Sequence, residues 1–138
     1  MRELPRQLTK RELAELFNGP GMLVDLLAEV DDPLGRAEEI ADSLSDADKA
    51  EALAAHPRIG EPSPEQHGEN PAVLTELAYL NQVYEEKFGF RFVVHVAGRP
   101  HSELLEVLRD RLARTREEEL ETGIAELVAI AQDRWQRR

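Results

Sequence analysis

The chain has no cysteine, which excludes disulfide cross-links, thiolate nucleophiles and cysteine-ligated zinc. The redox compartment stays open, although secreted domains often carry bridges. Positive charge is scarce: 17 Lys+Arg stand against 28 Asp+Glu, a formal net charge of -11. Nucleic-acid binding relies on clustered positive charge, so DNA and RNA are excluded as partners. The one basic cluster, RWQRR at residues 134–138, reads as solvated helix-end charge complementing a helix dipole. No apolar run approaches the length of a membrane span, and MRELPRQLTK lacks the apolar stretch and small-residue cleavage site of a signal peptide. The expectation is a cytoplasmic protein with no membrane partner. Also missing are a glycine-rich phosphate loop after a strand, a G-x-S-x-G turn around Ser63, and any HExxH spacing among the histidines. No metal site is expected.

What is present suits one globular domain over residues 1–138: 41% hydrophobic and 33% charged residues, with leucine throughout. Thr9 and Glu12 form a capping-box signature opening a helix that carries Leu13, Leu16 and Phe17, and Asn18-Gly19-Pro20-Gly21 breaks it. Helices follow at residues 22–30 and 33–43, the latter with Pro33 in its first turn. Ser45 caps a fourth helix, whose periodic Ala47, Ala50, Leu53 and Ala54 end at Pro57. Pro71 opens a long helix running to Phe88, with Gly89 as its stop. FRFVVHVAG, residues 90–98, is β-branched and aromatic, yet no second run offers a strand partner, so it reads as a buried connector or a short helical piece. Two further helices carry Leu104, Leu105, Leu108 and Leu112, then Leu120, Ile124, Leu127, Val128 and Ala131. There is no repeat or linker. The fold class is all-α, a single-domain helical bundle with an irregular loop after the fourth helix.

That loop concentrates the chemistry. AAHPRIGEPSPEQHG, residues 54–68, places two histidines, three prolines, an arginine and two glutamates together. His56 at a helix end before proline has a structural reading, since a helix C-terminus favours imidazolium. It also has a functional one: histidine exchanges protons near neutrality, and a proline-fixed loop holds the ring still. Glu65 would orient that ring or take part in the transfer.

AHPRIGE at residues 55–61, the Glu65-Gln66 pair, NQVYEEKFGFRFVVHVAGRP at residues 81–100 and ELLEVLRDRL at residues 103–112 resemble the 2-oxo-4-hydroxy-4-carboxy-5-ureidoimidazoline (OHCU) decarboxylases of the route from uric acid to allantoin. The order of segments matches over nearly the whole chain. The resemblance implies an all-helical, usually dimeric, cofactor-free carboxy-lyase that delivers (S)-allantoin. It puts the family's catalytic histidine on His56 and its glutamate on Glu65. Pro57, Ser63, Gln66, Phe92, Val94, Arg111 and, less closely, Arg109 fall on substrate-binding positions, those at residues 92–94 through main-chain groups. Two departures stand out. Only Pro62, Ser63 and Pro64 separate HPRIGE from EQ, where the family has a longer loop, and Arg114-Thr115 replaces its usual asparagine.

Carbon dioxide leaving a carbon beside an unsaturated ring position leaves an electron pair that the ring itself delocalises, so neither a metal nor an organic cofactor is required. Arg111 would bind anionic oxygens, Gln66 the ureido arm, and His56 would manage either the hydroxyl proton or the protonation of carbon. Phe88, Phe90 and Phe92 read equally as a core plug or a stacking surface. Two other functions fit the same residues: a non-catalytic helical binding or scaffold protein whose site was lost with the shortened loop, and a lyase or hydrolase acting on a related ureido acid.

Overall fold

The computed structural model describes residues 3–59 and 70–137. Ser63, Glu65, Gln66 and His67 lie outside the described residues. Seven helices and no strand occur among those described: α1 (Lys10–Phe17), α2 (Met22–Leu27), α3 (Pro33–Asp42), α4 (Asp46–Ala54), α5 (Pro71–Phe88), α6 (His101–Leu112) and α7 (Arg116–Gln136). None is long and apolar enough to cross a membrane.

Local chemistry sets most of the boundaries. The Thr9 side chain accepts from the Glu12 N–H while the Glu12 carboxylate accepts from the Thr9 N–H, so two orphan donors at the start of α1 are satisfied. Asn18 closes that helix in the left-handed conformation. Ser45 caps α4 and Asn70 caps α5 ahead of Pro71. Gly89, at φ 82°, ends α5 where a side chain would strain the backbone. A second capping box, Thr115 with Glu118, opens α7. The second helix is shorter than its sequence suggests: after Leu27 the chain tightens into i→i+3 bonds, Glu29 N–H to the Leu26 carbonyl and Val30 N–H to that of Leu27.

The packing is organised around α7, which touches α1, α3 and α4, while α5 lies against α6. Residues 91–96 form neither helix nor strand between α5 and α6, so the connector reading holds over the helical one. Phe90, Phe92, Val93 and Val94 are buried there. Tyr84 meets Phe88, Phe90 and Phe92 with ring centroids 4.6, 6.1 and 5.3 Å away. These rings form a plug in the hydrophobic core.

Inside this apolar packing sits a carboxylate, Glu119, with no exposed surface. Its Oε1 accepts from Tyr84 Oη at 2.5 Å and from Arg111 Nε at 2.7 Å, and its Oε2 from Arg114 Nη1 at 2.9 Å. Arg111 also donates from Nη1 to the Val93 carbonyl at 2.8 Å and lies 4.6 Å over the Phe92 ring. A buried charge of this kind is tolerated only because every oxygen is paired, and the pairing ties α5, α6, α7 and the connector to one point. Burial and the Glu119 carboxylate together push the Tyr84 hydroxyl far above its usual pKa, so it remains a donor at all ordinary pH. Substituting Glu119→Gln removes the counter-charge of Arg111 and is expected to destabilise the fold by about 3–5 kcal/mol. Tyr84→Phe, which removes one charge-assisted hydrogen bond, is expected to cost about 1.5–3 kcal/mol. Denaturant unfolding checks both values and their order.

Candidate active site

His56 lies just past Ala55, the C-cap of α4: its N–H closes a turn on the Leu53 carbonyl at 3.2 Å, and Pro57 stops the helix there. The His56 carbonyl accepts from Arg91 Nη1 at 2.9 Å, which anchors the peptide to the connector. Ring nitrogen Nδ1 lies 2.9 Å from the Pro57 carbonyl oxygen. A carbonyl can only accept, so Nδ1 carries the proton and the neutral ring keeps a bare lone pair on Nε2. That nitrogen is shut off from solvent and has no hydrogen-bond partner among the described residues. Pro57 therefore serves the ring through its carbonyl as well as the helix through its side chain.

Burial pushes the His56 pKa below the ordinary 6.5; the Pro57 carbonyl opposes this, and the cations Arg134 and Arg91 add to the lowering. The negative end of the α4 dipole would by itself favour imidazolium. Desolvation outweighs it, so the resting ring is a neutral base at pH 7.

His56 opens on a cavity of about 190 Å³ whose lining includes Val94, His95, Ile130, Asp133 and Arg134. A larger hollow of about 460 Å³ lies over α5. There Arg58 grips Glu85 through two bonds of 2.7 and 2.9 Å, and the lining has no histidine among the described residues. The smaller cavity is the chemically equipped one.

Arg134 is the residue that the sequence reading missed. It was expected as solvated tail charge; instead it is half-buried, and its Nη1 donates to the Leu16 carbonyl at 2.8 Å and to Asn18 Oδ1 at 2.5 Å. Among the described residues only that nitrogen donates within the protein, leaving Nε and Nη2 available to an anion at the cavity. The signal was in the register: Leu120, Ile124, Leu127, Ala131 and Arg134 follow alternating steps of four and three, so this arginine continues the buried stripe of α7.

The other expected residues separate. Val94 lines the cavity beside His56. Phe92 is buried beneath Arg111, and Arg111 itself is committed to Glu119 and the Val93 carbonyl, with no place in the cavity lining among the described residues. Its Nη2 is buried with no hydrogen-bond partner among the described residues. Arg109 is on the surface, paired with Glu76 at 2.5 Å and with Glu106. Ser63, Glu65 and Gln66 fall outside the described residues, and with them the pairing of Glu65 with His56.

Comparison with known proteins gives a consistent picture. The model of the OHCU decarboxylase family matches residues 3–136. The chain is 34% identical over 102 residues to the Uric acid degradation bifunctional protein TTL of Arabidopsis thaliana, across 62% of this chain and 32% of that protein. It is 29% identical over 112 residues to the 2-oxo-4-hydroxy-4-carboxy-5-ureidoimidazoline decarboxylase of Halalkalicoccus jeotgali, across 70% of this chain and 64% of that one. The chain thus spans about a third of the Arabidopsis relative and just under two-thirds of the other. An OHCU decarboxylase crystallised in the presence of (S)-allantoin superposes with a TM-score of 0.77 at 28% identity, covering 89% of this chain and 94% of that chain. An (S)-allantoin synthase shares the fold, with a TM-score of 0.72 at 21% identity.

The depressed His56 pKa has a measurable sign. Between the lower folded value and the unfolded 6.5, the unfolded chain binds the extra proton, so this group's contribution to stability is complete above 6.5 and is lost as pH falls through the folded value. In an NMR titration the His56 ring is expected to titrate below 6.5 with its Nδ1–H tautomer populated at neutrality. A ring titrating above 6.5 contradicts the assignment.

Proposed function

We propose, for a chain that belongs to the OHCU decarboxylase family, the cofactor-free decarboxylation of 2-oxo-4-hydroxy-4-carboxy-5-ureidoimidazoline to (S)-allantoin. The observation that carries this reading is a buried His56, its Nε2 without a hydrogen-bond partner among the described residues, lining the same small cavity as a half-buried arginine, Arg134. A base and a cation beside one small cavity suit a substrate that must be aimed by its anionic group while a proton is moved.

Arg134 binds the substrate carboxylate as a forked donor through the nitrogens it does not spend on Leu16 and Asn18. The scissile bond then stands across the ring, and its electron pair passes into the adjoining unsaturated system as carbon dioxide leaves. His56, a base in its resting form, takes the hydroxyl proton on Nε2 as that oxygen becomes a carbonyl. The imidazolium so formed returns the proton to the neighbouring carbon from one side, which is the origin of handedness. Solvent supplies the one further proton that the ring nitrogen gains. Pro57 keeps Nδ1 protonated throughout, so proton traffic is confined to Nε2. In this proposal Glu65 acts on the imidazole and Gln66 binds the ureido arm. The same reading carries a homodimer in the cytoplasm, the first part of which sedimentation velocity tests.

With substrate generated in situ from urate, the protein is expected to accelerate formation of optically active (S)-allantoin. His56→Ala is expected to lower kcat by about 10²–10⁴-fold. Arg134→Gln is expected to lower kcat/KM by about tenfold or more, chiefly through KM. The acid limb of the kcat/KM profile should fall below pH 6.5, following the depressed imidazole. Allantoin that appears at the uncatalysed rate and as a racemate overturns the proposal.

A further inference from the structure

The cavity holds a second histidine that the scheme above does not use. His95 lies on the connector with its Nε2 sealed from solvent and 3.4 Å from Asp133 Oδ2 on α7, a charge contact short of hydrogen-bond geometry. Its backbone is fixed on both sides: the carbonyl accepts from Arg99 Nη2 at 2.5 Å, and the N–H points to Glu126 Oε1 at 3.5 Å. Asp133 is in turn gripped by Arg137 Nη2 at 2.5 Å, one turn further along α7. His95, Asp133 and Arg137 all line the cavity that holds His56 and Arg134.

We infer that His95, oriented by Asp133, is a specificity-determining acceptor for the N–H groups of the ligand's ureido arm; this rests on the proposed function for the identity of that arm. An ionised carboxylate facing Nε2 favours the ring proton on that nitrogen, because the alternative tautomer would set a lone pair against a negative charge. The remaining nitrogen, Nδ1, is then the acceptor. The Arg137 guanidinium, and next the His95 contact, hold the Asp133 carboxyl below its usual range, which keeps it ionised. Among the described residues of the cavity, Ile59, Val94, Val96, Ala97 and Ile130 offer apolar surface, Arg134 offers only donors, and the Asp133 carboxylate is engaged by Arg137 and faces the His95 ring, so His95 is the acceptor they leave to act beside Gln66. A ureido group brings several N–H donors and one carbonyl. An arginine satisfies the carbonyl but not the donors, and buried N–H groups left unpaired weaken binding.

The test uses (S)-allantoin, a stable compound carrying the ureido arm, with calorimetric Kd and turnover measured on the same preparations. His95→Ala is expected to raise the (S)-allantoin Kd and the KM by about tenfold with kcat within about twofold. His95→Gln, which keeps a carbonyl acceptor, should recover most of that loss. Asp133→Asn should weaken binding several-fold in the natural background and add nothing further in His95→Ala, because it acts through the ring. Thermal unfolding of each variant separates misfolding from a lost contact, and a destabilised His95→Ala leaves the Asp133→Asn and His95→Gln comparison to decide. Kd unchanged in His95→Ala, additive effects of the two substitutions, or no (S)-allantoin binding by the unsubstituted protein overturns the inference. Binding that behaves as described without any turnover overturns the decarboxylase reading instead.

Discussion

Everything in this fold is arranged around one buried negative charge. Glu119 is placed where water cannot reach it, and it is held there by a phenol and two guanidiniums drawn from α5, from α6 and from the turn before α7. Transfer of a lone carboxylate into such a place is prohibitively unfavourable, so the arrangement exists only when all its partners arrive together. The hydrophobic contacts around it would accept several neighbouring packings; the hydrogen bonds accept one. Through Arg111 and the Val93 carbonyl the same cluster sets the position of the connector, and the connector supplies Val94 and His95 to the cavity. The site is thus positioned by a polar network that does not line it.

The site illustrates how much a single tautomer decides. Two opposing influences act on His56, a helix terminus that favours the cation and an apolar burial that favours the neutral ring, and burial prevails. Once neutral, the ring has one proton to place, and the Pro57 carbonyl claims it. Among the described residues, the lone pair on Nε2 is thus set by the Pro57 carbonyl and not by an ionisable side chain.

Much of the fold was legible in the sequence because it is written in local chemistry. Capping residues, Pro57, Pro71 and Gly89 mark boundaries that depend only on a few neighbouring residues, and the structure places them there. The helix at residues 33–43 ends one residue sooner, at Asp42, and the helix after Pro100 begins at His101. The site was less legible, for a different reason. A carboxylate or guanidinium has the same appearance in a sequence whether it faces water or the core, and only register distinguishes the two. Arg111 and Arg134 both continue apolar stripes, Leu104 and Leu108 in one case, Leu127 and Ala131 in the other. The resemblance directed attention to the first. The spacing, applied evenly, points to both, and only the three-dimensional neighbours separate the one that holds a core carboxylate from the one that meets His56.

The anchors of Arg134 lie at Leu16 and Asn18, separated from it by 118 and 116 residues. Joining such distant points carries one of the larger loop-closure entropies available to a chain of this size, and contacts of long sequence separation are assembled late. During synthesis the first helices leave the ribosome and must wait, their carbonyls served by water, until the last turn of α7 has been made. The Arg134 anchorage is in this way withheld from every chain that still lacks the end of α7.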